Sequence, residues 1–167
     1  MKEIVPVKTE EQIETTRRLF REYELWLGMS LCFQSFEEEM RDLPGKYASP
    51  DGRLYLANID DEAVGCIALR RIGDGICEMK RLFLKDAARG QGIGRELIEK
   101  IIADARAIGY SKMWLDTYPP KMGKAVSLYE AHGFREIEPY YDNPHEGVLY
   151  MELDLKVTCP ETQEFRR

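Results

Sequence analysis

The chain has 167 residues, of which 44% are hydrophobic, and its formal net charge is −6. This length and apolar content are typical of one globular domain with its own core, and they argue against intrinsic disorder. The acidic balance argues against nucleic-acid binding, and the sequence has neither a signal-peptide pattern nor an apolar run that could span a bilayer. We therefore expect a cytoplasmic protein that binds no nucleic acid and no membrane.

The N-terminal half is predicted to hold one strand, two helices and a meander of three strands. Thr9 begins a T-E-E-Q sequence close to a capping box, and Gly28 is a stop signal for the helix that follows Thr9. A turn at 50–52 opens the meander, and turns at 60–61 and 73–75 separate its strands as hairpins. The predicted strands are 3–8, 53–58, 62–72 and 76–84, and the predicted helices are 9–27 and 35–43.

The C-terminal half alternates helices with strands. Helix 92–108 is closed by Gly109, and helix 122–132 is closed by Gly133. The predicted strands are 112–117, 134–138 and 148–155. The resulting order, βααβββαβαββ, predicts an α/β fold in which a mixed, mostly antiparallel sheet of about seven strands carries helices on both faces. We expect one domain over 1–155 and a polar C-terminal tail over 156–167.

The four cysteines have no C-x-x-C spacing, so neither a zinc site nor a redox pair is indicated and no metal is expected. Cys66 and Cys77 fall on predicted buried strands. All four are expected to be reduced thiols, namely Cys32, Cys66, Cys77 and Cys159.

A glycine-rich loop between a predicted strand and a predicted helix is the most informative segment. Residues 89–95 read RGQGIGR, and such glycines let a backbone approach a ligand closely, while the free amides of a helix start attract anions. Five basic residues and one acidic residue lie between 79 and 95, which favours a ligand such as a pyrophosphate. The alternative is a glycine turn flanked by solvated charges.

Three phosphate-binding motifs compete for this loop. A dinucleotide-binding fingerprint fails because Arg95 stands where its third glycine belongs, and a Walker loop fails because no Gly-Lys-Ser/Thr sequence follows. Arg89, Gly92 and Gly94 do match R/Q-x-x-G-x-G/A, and the loop thereby resembles that of the GNAT superfamily of N-acetyltransferases. Residues 127–134, SLYEAHGF, resemble the L-Y-x-x-x-G-F segment of the same family, and with the element order the resemblance extends to about residue 155.

The resemblance implies a single-domain GNAT-like fold that uses acetyl-CoA as a co-substrate and an amine, small-molecule or peptide, as the acceptor. It also implies that the pantetheine arm pairs with the backbone of Leu82, Phe83 and Leu84. The loop that would hold the pyrophosphate comprises Arg89, Gly90, Gln91, Gly92, Ile93, Gly94 and Arg95. The sequence departs from the family where Met122 replaces a frequent Asn, and Lys124 or Ser127 is the candidate substitute. The sequence leaves open whether the protein forms a homodimer.

The implied chemistry is direct attack of a neutral amine on the thioester in a ternary complex, which needs a base for the amine and benefits from an acid for the departing thiolate. Tyr129 matches the family's tyrosine acid; its alternative is a core tyrosine. Glu78 resembles a glutamate base of the histone-acetylating branch. Its alternatives are a solvent-facing strand acid or a partner for Lys80 or Arg81.

Two further alternatives stay open on the sequence. A non-catalytic acyl-CoA sensor or scaffold on the same fold would keep the glycine loop but would need neither Tyr129 nor Glu78. The loop that begins YYDN at residue 140 lies near where the family's acceptor enters. That loop is either an interaction element or a turn held by its Asp and Asn side chains.

Overall fold

A computed structural model describes residues 1–31 and 35–156, and Cys32, Cys159 and nearly all of the predicted tail lie outside the described residues. The predicted order of strands and helices is confirmed. Two short 3₁₀ helices, Gly45–Tyr47 and Asp86–Ala88, lie between the main elements. The strands are β1 (Lys2–Pro6), β2 (Arg53–Ile59), β3 (Glu62–Gly73), β4 (Ile76–Leu84), β5 (Lys112–Thr117), β6 (Arg135–Ile137) and β7 (Leu149–Asp154). The helices are α1 (Glu10–Leu27), α2 (Phe36–Asp42), α3 (Ile93–Ile108) and α4 (Pro119–Ala131).

Local capping signals set the helix ends much as predicted. Thr9 and Gln12 form a capping box at the start of α1, and Gly28 and Gly109 end α1 and α3 in the left-handed conformation. The fourth helix begins at Pro119, three residues before the predicted start at Met122. Proline is tolerated in the first turn of a helix because the amide it lacks would have no partner there, and Met122 is instead a kink within α4.

The seven strands form one mixed sheet in the order β1-β2-β3-β4-β5-β7-β6. Every neighbouring pair is antiparallel except β4 and β5, which are parallel. The β4–β5 pairing covers only Ile76–Glu78 against Lys112–Trp114, and beyond it the two strands part. A gap therefore opens in the middle of the sheet.

A β-bulge in β4 changes which side chains face which side of the sheet. Cys66 is opposite Phe83 and Ala68 is opposite Lys80, so β4 carries one extra residue between these pairs. Arg81 lies in this bulge with a positive φ of 60°. The alternation of β4 is thereby shifted by one residue after Lys80.

Each face of the sheet carries its own core. The first core contains the buried faces of α3 and of α4, together with Cys77, Met79 and Leu82 of β4. The second contains α1, α2, Cys66 and Phe83. Cys66 and Cys77 are fully buried, which confirms their predicted burial.

Gly65 fits β3 against β4 at the end of the meander, and it gives a test of this packing. A Cβ at Gly65 would lie 2.8 Å from the Phe83 carbonyl oxygen, whereas a Cβ at Gly73 would approach nothing closer than 4.0 Å. We expect Gly65→Ala to lower the free energy of unfolding in urea by about 1–3 kcal/mol because β4 must shift. The control Gly73→Ala should change it by less than about 1 kcal/mol, and equal effects would contradict this packing.

Candidate functional site

A cavity lies in the gap between β4 and β5, and strands, helices and loops all contribute to its wall. Its wall comes from β4, the end of β5, the end of α1, the kinked start of α4 and the loop before β7. Apolar side chains such as Leu27, Met29 and Val148 supply part of the lining. The polar side chains on it include Lys80, Arg81, Asp116, Thr117, Tyr129 and Asn143.

The strand edge that borders the gap includes the residues predicted to pair with pantetheine. Phe83 and Leu84 pair with β3 on one side, while the β5 pairing has already ended at Glu78. Leu82 lines the cavity. This end of β4 thus presents backbone toward the gap, as a strand-like ligand segment would require.

The glycine loop joins β4 to α3 with an open backbone. Gly90 and Gly92 have φ values of 80° and 81°, and a Cβ at either would meet nothing within 4 Å. Gly92 is the N-cap of α3 and supplies no side chain to its first amides. The start of α3, with its positive dipole end, is therefore open to an anion.

Arg89 stabilises this loop rather than standing free. Its Nε donates to the Leu84 carbonyl over 3.1 Å, its Nη1 lies 3.0 Å from Asp86, and its guanidinium lies 4.5 Å from the centre of the Trp26 ring. The Lys121 ammonium lies 5.9 Å from the same ring, a contact the sequence analysis missed. Lys124 is exposed on α4.

The five basic residues between 79 and 95 do not form one group. Lys80 and Arg81 are buried, and each faces a glutamate: Lys80 Nζ lies 3.8 Å from Glu78, and Arg81 makes hydrogen bonds of 2.9 and 2.8 Å to Glu39. Only the other three cations, Lys85, Arg89 and Arg95, remain at or near the glycine loop. The predicted basic region beside the glycine loop is therefore reduced to three cations, because Lys80 and Arg81 face glutamates instead.

Tyr129 is both a core residue and part of the cavity wall. It is 3% exposed, and its ring meets Phe134 edge-on at a centroid distance of 5.6 Å. Burial, together with nearby Tyr23 and Asp116, raises the pKa of Tyr129 well above its usual range. The hydroxyl therefore keeps its proton at neutral pH and can act as a donor.

Glu78 is buried, contacts Arg70, and lies next to Lys80, which lines the cavity. It is 1% exposed; its Oε1 accepts from Arg70 Nε over 2.8 Å and lies 3.8 Å from Lys80 Nζ, while Oε2 accepts from the Tyr140 hydroxyl. Burial alone would raise the pKa of Glu78, but Lys80, Arg70 and Tyr140 outweigh it and lower the pKa. This geometry matches the predicted alternative of a partner for Lys80, and the role as base stays a prediction.

Asp116 is a carboxylate on the cavity that the sequence analysis did not single out. It lies near the end of β5, and the Tyr141 hydroxyl donates to it. Asn143 Nδ2 in turn donates to Tyr141 over 3.0 Å, and its Oδ1 accepts from the His145 amide over 2.9 Å. The loop after β6 is thus a turn held by the Asn143 side chain, and Asn143 also lines the cavity; a role of this loop in an interaction stays a prediction.

Within residues 1–31 and 35–156, no three His, Cys, Asp or Glu side chains are arranged to hold a metal ion. None of the helices described is long and apolar enough to cross a bilayer.

Comparison with known proteins assigns the class. The family model for the acetyltransferase (GNAT) family matches residues 13–134. An uncharacterized N-acetyltransferase of Schizosaccharomyces pombe is 38% identical over 154 residues, which cover 91% of this chain and 94% of that protein. This chain therefore belongs to the acetyltransferase (GNAT) family, which confirms the resemblance. Membership of this family supports acyltransferase activity.

Solved structures confirm the fold. A GNAT-family acetyltransferase of Staphylococcus aureus superimposes with a TM-score of 0.76 at 21% identity, covering 93% of this chain and 100% of the other. The PaiA N-acetyltransferase of Thermoplasma acidophilum, solved in complex with coenzyme A, gives a TM-score of 0.71 at 21% identity and covers 92% and 99%.

The charge of Glu78 gives a pH-dependent test of its structural role. Because its pKa is lowered in the folded protein, this charge stabilises the fold above the ordinary carboxyl pKa, and the stabilisation is lost as pH falls through the lowered value. Glu78→Gln leaves Arg70 and Lys80 facing a neutral amide, so we expect the free energy of unfolding to fall by about 2–4 kcal/mol at pH 7.

Urea denaturation at pH 7 and pH 3 measures both parts of this expectation. The difference between wild type and Glu78→Gln should narrow at pH 3, because pH 3 lies below the ordinary carboxyl pKa and unfolding of the wild type is then favoured by proton uptake at Glu78. Glu62→Gln, at an exposed position of β3, is the control and should have little effect. A difference that is the same at both pH values would contradict the ion-pair role.

Proposed function

We propose that this protein is an N-acetyltransferase that moves the acetyl group of acetyl-CoA to an amine by direct attack in a ternary complex. One observation carries the proposal: the gap between β4 and β5 has an unpaired strand edge, the same strand leads through the glycine loop to a helix start without a side-chain cap, and a protonated tyrosine lines the gap. The first two suit the arm and the pyrophosphate of a coenzyme A thioester, and the third suits its thiol leaving group.

The residues of the gap fit acetyl-CoA as a co-substrate. The backbone of Leu82, Phe83 and Leu84 would pair with the pantetheine arm, and the amides of residues 90–95 would hold the pyrophosphate. Arg89 would fix the loop through the Leu84 carbonyl and Trp26. Lys121, which lies 5.9 Å from the same Trp26 ring, would add a positive charge near the loop, and Lys124 stays a candidate. The Thermoplasma protein of the same fold was solved with coenzyme A, which supports this class of co-substrate.

The transfer requires one proton to leave the amine and one to reach the sulfur. The amine nitrogen attacks the thioester carbon, the new C–N bond forms as the C–S bond breaks, and Tyr129 donates a proton to the departing thiolate. No covalent enzyme intermediate is required. The buried thiols Cys66 and Cys77 therefore have no role in this step, and burial raises the pKa of each to about 12.

Two carboxylates compete for the amine proton. Glu78 is the base that the resemblance implies, but it is committed to Arg70, Lys80 and Tyr140. We favour Asp116, because it lines the cavity itself. The Glu78→Gln variant separates them: a loss of kcat/KM of about 100-fold that shrinks as pH rises would identify Glu78, and a wild-type pH profile would leave Asp116 as the base.

A non-catalytic acyl-CoA sensor is the second candidate. Such a protein needs the glycine loop but not Tyr129 or Asp116, and their presence in one cavity favours the enzyme. The decisive experiment measures thiol release from acetyl-CoA with a chromogenic disulfide reagent on a panel of amines. Turnover supports the enzyme, whereas binding of acetyl-CoA without turnover supports the sensor.

Gly94 provides the test of the pyrophosphate site. A Cβ at Gly94 would make ordinary contacts of 3.6 and 3.7 Å with Leu84 and Leu128, so a substitution there is less strained than at Gly92 with its positive φ. We expect Gly94→Asp to weaken acetyl-CoA binding by more than about tenfold, roughly 1.4 kcal/mol, in calorimetry. The isosteric Gly94→Asn should lose less, and unchanged affinity in folded Gly94→Asp would refute the assignment.

Tyr129→Phe tests the acid, because it keeps the ring and its packing on Phe134. We expect kcat to fall by about 10²–10⁴-fold while calorimetric affinity for acetyl-CoA stays nearly intact. Tyr47→Phe, another buried tyrosine but one outside the cavity, is the control and should keep its kcat. Full activity of Tyr129→Phe would leave Tyr129 as a packing residue only.

A further inference from the structure

Trp26, near the end of α1, lies beside the cavity. Its helix neighbours Tyr23 and Leu27 line the cavity, and its ring stacks on the ring of Tyr23 at a centroid distance of 6.5 Å. The Trp26 ring also lies 6.0 Å from the ring of Phe83, whose backbone is proposed to pair with the pantetheine arm. The side chain of Trp26 is half-buried, so part of its ring stays accessible.

Cations from both sides of the gap contact this ring. Arg89, whose guanidinium lies 4.5 Å from the ring centre, belongs to the glycine loop that follows β4. Lys121, whose ammonium lies 5.9 Å from the ring centre, belongs to the start of α4, which follows β5. The electrons of an indole face attract a cation more strongly than those of Phe or Tyr. Trp26 therefore connects the segment after β4 with the segment after β5.

A coenzyme A thioester in this gap would pass the Trp26 ring. Its pyrophosphate would lie at the amides of residues 90–95, and its thioester would lie near Tyr129 in the cavity. The pantetheine arm joins these two ends, and Trp26 contacts an element at each of them, namely Arg89 of the glycine loop and Tyr23 of the cavity wall. The arm carries methyl and methylene groups, and a large rigid aromatic ring offers them apolar contact area at a low cost in conformational entropy.

We propose that Trp26 is a further coenzyme-binding residue, whose ring contacts the pantetheine arm between the cavity and the glycine loop. This inference rests on the proposed function, and specifically on its use of a coenzyme A thioester. Neither of the two motifs that carry the family resemblance includes Trp26, because α1 precedes both in the chain. The alternative is a tryptophan that only packs on the core and holds the two cations.

A pair of ligands separates the arm from the phosphates. Coenzyme A and 3′-phospho-ADP, its nucleotide half, share the phosphate groups, but only coenzyme A has the arm. Loss of the cation contacts or a shift of the glycine loop would weaken the more highly charged 3′-phospho-ADP at least as much as coenzyme A. Loss of an arm contact would weaken coenzyme A alone.

We expect Trp26→Leu to reduce the ratio of the affinity for coenzyme A to that for 3′-phospho-ADP by at least about threefold in calorimetry. Trp26→Phe keeps a ring at this position and should retain part of the ratio. Leu25→Ala is the matched control, because Leu25 is the preceding residue of α1 and is 80% exposed, and it should keep the wild-type ratio. An unchanged ratio in Trp26→Leu, or an equal loss in Leu25→Ala, would overturn the inference.

Fluorescence gives a second measurement that requires no substitution of Trp26. The chain has two tryptophans, so Trp26 is the only one in the Trp114→Phe variant. Saturation with coenzyme A should change its emission more than saturation with 3′-phospho-ADP does, because only coenzyme A brings the arm to the ring. Equal changes with the two ligands would contradict a contact between Trp26 and the arm, even if Trp26→Leu does not fold.

The outcomes separate this inference from the proposed function. Absence of coenzyme A binding to the wild-type protein would overturn the proposed function itself. Binding of coenzyme A with an unchanged ratio in Trp26→Leu would overturn only the role of Trp26. Neither measurement requires an acceptor, so the result is independent of which amine the protein acetylates.

Discussion

The ion pair between Arg81 and Glu39 holds the bulge on which the arrangement of the site depends. A non-glycine residue with φ of 60° costs about 1–2 kcal/mol, and here two hydrogen bonds to Glu39 and the ring of Phe36, 5.2 Å away, offset that cost. The extra residue shifts the alternation of β4 by one. Leu82 consequently enters the core under α3, and Phe83 enters the core under α1.

The separation of β4 from β5 lies close to the bulge in β4. Three residues of each strand are paired before the bulge, and the bulged part of β4 follows β3 instead. Because parallel strands need matched, regular edges to remain bonded, a bend in one strand opens the space between them. Tyr129 reaches that space from α4, which shares one core with α3 on one face of the sheet.

The elements that were predictable are those with local signals. Thr9, Gly28 and Gly109 cap the helix ends at which they lie, and each hairpin turn is specified by the residues within it. The order of the elements can therefore be predicted from the sequence. The bulge has no local sequence signal, because the residue with positive φ within it is Arg81, and arginine is not expected in that conformation. Because the bulge is not predicted, the sequence analysis counts Lys80 and Arg81 together with the basic residues of the glycine loop. Asp116 was missed because only the folded loop brings Tyr141 to it.

Two neighbouring tyrosines of the loop after β6 each donate a hydrogen bond to a different carboxylate at or near the cavity. Tyr140 donates to Glu78, whose other oxygen is bound by Arg70, and Tyr141 donates to Asp116 on the cavity wall. One loop therefore contacts both the carboxylate that faces Lys80 and the carboxylate that we propose as the base for the acceptor amine. The glycine loop lies between β4 and α3, so under the proposed function a change in the loop that contains Tyr140 and Tyr141 should alter acceptor preference while acetyl-CoA binding stays unchanged.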